Sequence, residues 1–261
     1  MQLTSTKNPL LQSIRRAAAE GRPTDSGLIV AEGPHLLAEA LRGKWQIEQV
    51  FATPGARGRF ADLLSRTDAE IVEISARAFE SIAATETSQE VLALLRPSAG
   101  RWEELVAGRA LIVVLDAVQD PGNAGTIVRS AEAFGATGVM LLRGCARVAN
   151  GKLLRATAGS IFRLPFLEGW PPNEFLAVAE RHKLMLYALD QTAGAGLSEA
   201  DFRPPSALAV GSEARGIGAE LANHMQRISI PTVNVESLNA AVACSIALFE
   251  AHRQRSQYEP V

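Results

Sequence analysis

Asn123 and Arg129 stand six residues apart in Asp120–Gly138, DPGNAGTIVRSAEAFGATG. Glu213 and Arg215 sit among three glycines in Gly211–Gly218, GSEARGIG, and Ser237 and Asn239 open an apolar run within Ile230–Phe249, IPTVNVESLNAAVACSIALF. Glycine-dense turns let a ligand approach the backbone closely, and the amide, carboxylate and guanidinium groups beside them can hold it. Each segment lies where a strand meets a helix, which in an open α/β sheet is where ligands bind, so together they point to an enzyme. Neither GxGxxG nor GxxxxGK[ST] is matched, so a nucleotide-phosphate cradle is not supported. Each feature also has a plain reading: Asn123 as an N-cap, Arg129 as a solvated helix residue, GxExxG as an ordinary turn with two charges.

The elements that must position these residues follow from the apolar pattern. Ala110–Leu115 is a short apolar run suited to a buried parallel strand. From Asn123 the spacing turns helical, with Ile127, Ala131 and Phe134 on one stripe and Gly135 as the stop, and Val139–Leu142 is the next strand, completing a βαβ unit. Ala207–Val210 leads into the glycine-rich segment. Arg227–Ile230 reads as a short strand that Pro231 stops, and Ser237 is the candidate N-cap of a helix with a core stripe through Leu238, Val242, Ser245, Ile246 and Phe249. Asn239, an amide in the first turn of that helix, needs a partner if buried. Strands at Ala110, Val139, Leu184, Ala207 and Arg227 alternating with helices predict an α/β domain with a parallel sheet covered on both faces. Upstream, strands near Leu28–Ala31, Gln49–Ala52, Ile71–Ile74 and Val91–Leu95 predict a small α/β sandwich. Pro, Ser and Gly between Arg96 and Trp102 mark a boundary, giving domains over 1–98 and 105–261.

Composition bounds the function. A chain of 261 residues is long enough for two domains. It shows no apolar leader and no run approaching a membrane span, so a cytoplasmic protein without membrane partners is expected. Cys145 and Cys244 lie far apart and the four histidines form no cluster, so no metal site is expected. The absence of GxSxG gives no support to a hydrolase elbow. A net charge of −2 argues against coating nucleic acid through the whole-body field. RNA contact would need local patches, the candidates being Lys7, Arg15, Arg16 and Arg22, or Arg143, Arg147, Lys152 and Arg155, each equally readable as a solvated face.

In this order the three segments resemble the motifs of the SpoU (TrmH-like) RNA ribose 2′-O-methyltransferases of the SPOUT superfamily. The first matches at Asn123, Gly125 and Arg129, the second is GxExxG-like, and the third runs Ile-Pro, then Ser-Leu-Asn, into a long helix. Leu154–Phe166, Ile29–Ala40 and Glu86–Leu94 extend the resemblance over nearly the whole chain. Three departures stand out: Glu90 occupies a position where Gly is common in the family, Ala240 follows the third-motif Asn where the family often has Val, and the stretch before Ser-Leu-Asn is one residue short.

The resemblance implies a C-terminal domain with a deep trefoil knot and an N-terminal ribosomal-protein-like module for binding RNA. It implies S-adenosylmethionine as cofactor, held at Gly211, Ile230 and Leu238 with Gly216 and Ser237 supporting the loops. Arg129 is then the candidate for proton removal or for fixing the nucleotide, with Asn123, Glu213 and Asn239 completing the catalytic set. Arginine stays protonated in water, which favours a phosphate anchor over a base. The expected activity is methyl transfer to a ribose 2′-hydroxyl, in ribosomal RNA by fold-level analogy, with transfer RNA or a non-catalytic RNA-binding role as alternatives. A homodimer through the knotted domain is implied, and no DNA partner is expected.

Overall fold

Short apolar runs closed by turns become ten strands among the described residues of the computed structural model, which describes residues 3–98 and 100–256. These residues divide into two units: Met1–Ser98 with Arg147–Arg163, and Ala99–Ala146 with Leu164–Val261. Arg147–Arg163 groups with the first unit although Ala99–Ala146 separates the two in sequence.

In the first unit β1 (Ile29–Glu32), β2 (Gln46–Ala52), β3 (Glu70–Glu73) and β4 (Val91–Arg96) form a sheet in the order β1-β4-β2-β3. β4 runs antiparallel to β1 and β2, and β3 runs parallel to β2. The helix Pro9–Glu20 starts where the Asn8 side chain accepts the Leu10 N–H and ends at Gly21, whose φ of 60° suits a residue without Cβ. It buries Leu11, Ile14 and Ala17 in one core with Phe51, Phe79 and Leu92. Arg147–Arg163 joins this unit through the Lys44 N–H donating to the Phe162 carbonyl at 2.8 Å, an edge-on contact of Trp45 with Phe162, and the Arg163–Glu39 ion pair at 2.6 Å. Glu90 has φ 60°, which explains why glycine suits this position. Its carboxylate accepts from the Thr53 hydroxyl at 2.9 Å and from Arg59 at 3.1 Å, contacts that offset the strain.

In the second unit β5 (Leu111–Asp116), β6 (Gly138–Leu142), β7 (Phe166–Trp170), β8 (Met185–Leu189), β9 (Ser206–Gly211) and β10 (Gln226–Ile228) form an all-parallel sheet in the order β10-β8-β9-β5-β6-β7. Every residue of β6 and β9 is buried, as are the first five of β5, the pattern of strands covered on both faces. One face packs Ile112, Val114, Met140, Ala207 and Ala209 against Phe175 and Ala179 of the helix Pro172–Arg181.

Several expectations need correction. β7 was not among the expected strands: its burial falls from buried Phe166 and Leu167 to exposed Glu168 and Gly169, so it lacks the continuous apolar run of its neighbours. The first-motif helix begins at Pro121 with Asp120 as its N-cap, so Asn123 is not the cap. The C-terminal helix Ala240–Ser256 is capped by Asn239, not Ser237: the Asn239 Oδ1 accepts the N–H groups of Ala241 at 2.9 Å and Val242 at 3.3 Å. The stripe expected in the core faces outward, with Val242, Ile246 and Phe249 exposed, while Ala241, Cys244, Ala247, Leu248 and Ala251 are buried.

Candidate active site

From β5 the chain builds β6 and then β7 to one side, then crosses to lay down β8, β9 and β10 on the other. The sheet therefore has a switch point between β5 and β9, the location that favours a crevice beyond the carboxyl ends of the strands. A cleft of about 540 Å³ opens on the β9 side of this point, beyond the carboxyl ends of β8, β9 and β10, with Leu189, Val210 and Ile228 in its wall.

The glycines of the second motif shape the cleft. A Cβ at Gly211 would overlap the Gly216 carbonyl, so only glycine lets the loop fold back onto the end of β9. Gly216 itself has φ 65°, and its N–H donates to the Ser212 carbonyl at 2.8 Å. The loop is pinned to the neighbouring strand where the Gly218 N–H donates to Asp116 Oδ2 at 2.7 Å. Asp116 pairs with Gly211 in the β5–β9 register. Sequence reasoning gave Asp116 no role, although its place at the end of a buried strand marks it.

A chain of side-chain hydrogen bonds joins all three motifs. Asn123 Nδ2 donates to Glu213 Oε1, and Asn239 Nδ2 donates to Asn123 Oδ1 at 3.1 Å. The local cause is the Asp120 cap, which takes the backbone N–H of Asn123 at 2.8 Å and leaves its carboxamide to bridge the two loops. The cleft is lined by Gly211, Glu213, Gly216, Ile230, Ser237, Leu238 and Asn239, seven of the nine residues singled out from the sequence. Asn123 reaches them through its hydrogen bonds. Arg129 does not line the cleft: it is exposed on the same helix as Asn123 and has no hydrogen-bond or ion-pair partner among the described residues.

Asp190, which the motifs did not indicate, also lines the cleft. Its Oδ1 accepts the Thr192 N–H at 2.8 Å and the Thr192 hydroxyl at 2.7 Å, and Arg227 approaches Oδ2 at 3.4 Å. The Thr192 hydroxyl, with help from Arg227, holds the carboxyl below its usual range. Both thiols are held protonated at neutral pH: burial pushes Cys145 up to about 11 and Cys244 up to about 12, so neither offers a nucleophile. In the first basic patch Arg16 pairs with Asp25 at 2.7 Å and Arg22 approaches Glu20 at 3.8 Å, which reduces its pull on a polyanion. In the second, Arg143 belongs to the C-terminal unit and Arg147, Lys152 and Arg155 to the other. Among the described residues no group of His, Cys, Asp or Glu could hold a metal ion, and no helix is long and apolar enough to cross a membrane.

The chain is similar to known proteins over most of its length. The model of the SpoU rRNA Methylase family matches residues 110–249, and that of the MRM3-like substrate binding domain matches residues 8–93. The chain is 34% identical to the uncharacterized tRNA/rRNA methyltransferase slr1673 of Synechocystis, over 97% of this chain and 94% of that one. It is 30% identical to the 23S rRNA (guanosine(2553)-2′-O)-methyltransferase RlmP of Bacillus subtilis, over 95% and 98% of the two chains. Among solved structures, the SpoU methyltransferase AviRb from Streptomyces viridochromogenes in complex with AdoMet superposes with a TM-score of 0.86 at 25% identity, over 96% of this chain and 99% of that one.

Proposed function

The chain belongs to the SpoU rRNA methylase family and is an S-adenosylmethionine-dependent rRNA 2′-O-methyltransferase, and we propose that its cleft holds the cofactor while the Asn123–Glu213–Asn239 chain and Arg129 present the target ribose. The observation that carries this division of labour is the hydrogen-bonded bridge from Asn123 to both cleft loops.

The residues present suit the cofactor. Leu189, Val210, Ile230 and Leu238 give the cleft apolar surface for an adenine and a methionine chain. The backbone N–H groups of Ile230, Ser237 and Leu238 have no partner among the described residues, leaving donors for a polar ligand. Gly211 and Gly216 keep the loop close without side chains that would fill the space. When bound, S-adenosylmethionine supplies an electrophilic methyl carbon on a sulfonium.

Dispersal of charge along an in-line transfer leaves positioning and exclusion of water as the protein's main contributions. Arg129, permanently charged and unpartnered, binds the phosphate beside the target ribose and so orients the 2′-hydroxyl. Asn123 and Glu213 hold the glycine loop in register with the first-motif helix, and Asn239 ties in the start of the C-terminal helix. The target, by similarity to the Bacillus protein, is a guanosine ribose in 23S rRNA. The same reading includes the trefoil knot, the domain division at 98 and 105, a homodimer through the C-terminal helix, and a cytoplasmic location alongside the RNA.

Calorimetric titration with S-adenosylmethionine tests the cleft. Wild type should bind saturably, and Leu238→Arg, which fills the apolar wall with a charged side chain, should abolish binding while the melting curve stays cooperative. Equal binding by both proteins would move the cofactor out of this cleft.

A further inference from the structure

Two carboxylates flank Gly211 at the carboxyl edge of the parallel sheet. Asp116 lies opposite it on β5, and the β8–β9 register, which sets Ala188 against Ala209, brings Asp190 level with it two residues further on. Asp116 is committed, because its Oδ2 accepts the Gly218 N–H at 2.7 Å. Asp190 differs in both place and occupancy. It lines the cleft, and Thr192 takes only its Oδ1, while Oδ2 has a single long approach from Arg227 at 3.4 Å. An ionised carboxylate has about four lone-pair sites, so Oδ2 keeps accepting capacity.

The backbone makes this oxygen a fixed feature. The Asp190 N–H donates to the Ile228 carbonyl at 3.0 Å, extending the ladder beyond β8, and the Thr192 turn locks the carboxylate plane. A carboxylate held rigidly beside the glycine-lined end of a parallel strand is the arrangement by which α/β folds accept a ribose hydroxyl. The other donors on the cofactor that could compete are its ammonium group and its adenine amino group, and 5′-methylthioadenosine and its dideoxy form share the second. Asp190 already has a counter-ion in Arg227, so what it offers is lone-pair capacity more than uncompensated charge, which suits neutral hydroxyl donors.

Resting on the cofactor reading above, we propose that Asp190 is a cofactor-specificity residue whose Oδ2 accepts hydrogen bonds from the vicinal hydroxyls of the cofactor's ribose. Of the other polar side chains in the cleft wall, Glu213 and Asn239 are already engaged with Asn123.

The test is calorimetric, with three probes: S-adenosylhomocysteine, 5′-methylthioadenosine, which lacks the amino-acid end, and the 2′,3′-dideoxy form of 5′-methylthioadenosine. Asp190→Asn should weaken the first two by the same factor, about tenfold or more for bonds to an ionised acceptor. Wild type should bind the dideoxy compound more weakly than its parent by a similar factor, and Asp190→Asn should weaken it no further. The wild-type comparison needs no variant to fold. Equal wild-type affinity for the dideoxy compound and its parent would overturn the proposal. So would an Asp190→Asn loss confined to S-adenosylhomocysteine, which would assign the contact to the ammonium group. Failure of wild type to bind S-adenosylhomocysteine at all would instead overturn the cofactor reading on which the proposal rests.

Discussion

Asn239 uses its two side-chain ends for different purposes, and a substitution can remove one without the other. Its Oδ1 caps the C-terminal helix, while its Nδ2 donates to Asn123 and so links the third motif to the first. Serine keeps a capping oxygen but has no amide to reach Asn123. Asn239→Ser should therefore melt close to wild type yet lose about tenfold in single-turnover methylation, the scale of one hydrogen bond in a connected site. Asn239→Ala should lose the same turnover and about 1 kcal/mol of stability as well, because the cap is gone. A loss of stability in Asn239→Ala but not in Asn239→Ser, with turnover intact in both, would make Asn239 a structural cap alone. Arg129 invites a complementary test. Lysine keeps the charge but not the planar fork, so Arg129→Lys should lower turnover by about tenfold or more if two phosphate oxygens must be gripped together. Retention of full turnover would reduce Arg129 to a point charge.

At the scale of elements, Glu39 and Arg163 show how a segment distant in sequence is tied into the N-terminal unit. The Glu39 side chain is 11% exposed and pairs with Arg163 at 2.6 Å and Arg42 at 3.0 Å. The hydrogen bond from Arg163, more than any other influence, holds the carboxyl below its ordinary value of 4.5. A folded value below the unfolded one means stability present above the unfolded value and lost as pH falls through the folded one. Glu39→Gln should thus cost about 1–3 kcal/mol near neutrality in urea melts, and the gap to wild type should shrink on acidification below about pH 4.5. Nothing in the sequence of Arg163 announces that partner, which lies 124 residues away. The strands were more legible, because Leu111–Leu115 and Ser206–Val210 are compact apolar runs that only a buried strand accommodates. The helix faces were not. The first part of Ala240–Ser256, as far as Phe249, is apolar nearly all round, so a stripe drawn through its largest residues picks the outward face, whereas small residues let it settle close to the helix Pro121–Ala133, with Ser130 and Ser245 hydroxyls 2.7 Å apart. Caps were misread for a related reason. Asn123 and Ser237 are good capping types, but Pro121 at the first helical position fixes Asp120 as one cap, and the backbone geometry that makes Asn239 the other leaves no mark in composition. The motif residues of the cleft were legible through the resemblance of three ordered segments to the family's motifs, since glycines and amides after a strand read equally well, taken alone, as ordinary turns and caps. Asp190 was not, since one acid after a strand has no signature until the cleft is seen.

At the scale of the whole molecule, the outward face of the C-terminal helix bears on assembly. Val242, Ile246 and Phe249 are 48%, 38% and 54% exposed and recur at intervals of four and three residues, so they form one apolar face, and Val233 and Val235 add exposed apolar surface in the preceding loop. Burying such a face against a second copy removes it from water, and a twofold axis would let the same helix serve both subunits. Phe249 also packs edge-on against Phe134 at 5.9 Å, so replacing it would disturb the subunit itself. Ile246 has no such ring contact and gives the cleaner variant. Wild type at micromolar concentration should show twice the chain mass by light scattering, and Ile246→Lys should approach the mass of one chain, because a desolvated ammonium without a partner opposes association. A monomeric wild type would end the dimer proposal. Assembly and cofactor binding should also be linked. The helix that would form the interface begins at Asn239, in the wall of the cleft, so packing against a partner would steady the residues that hold the third motif. Monomeric Ile246→Lys should then bind S-adenosylmethionine more weakly although every cleft residue is intact. Raising the wild-type concentration through the dimerisation range should strengthen cofactor binding, as linkage requires of two events that favour the same state.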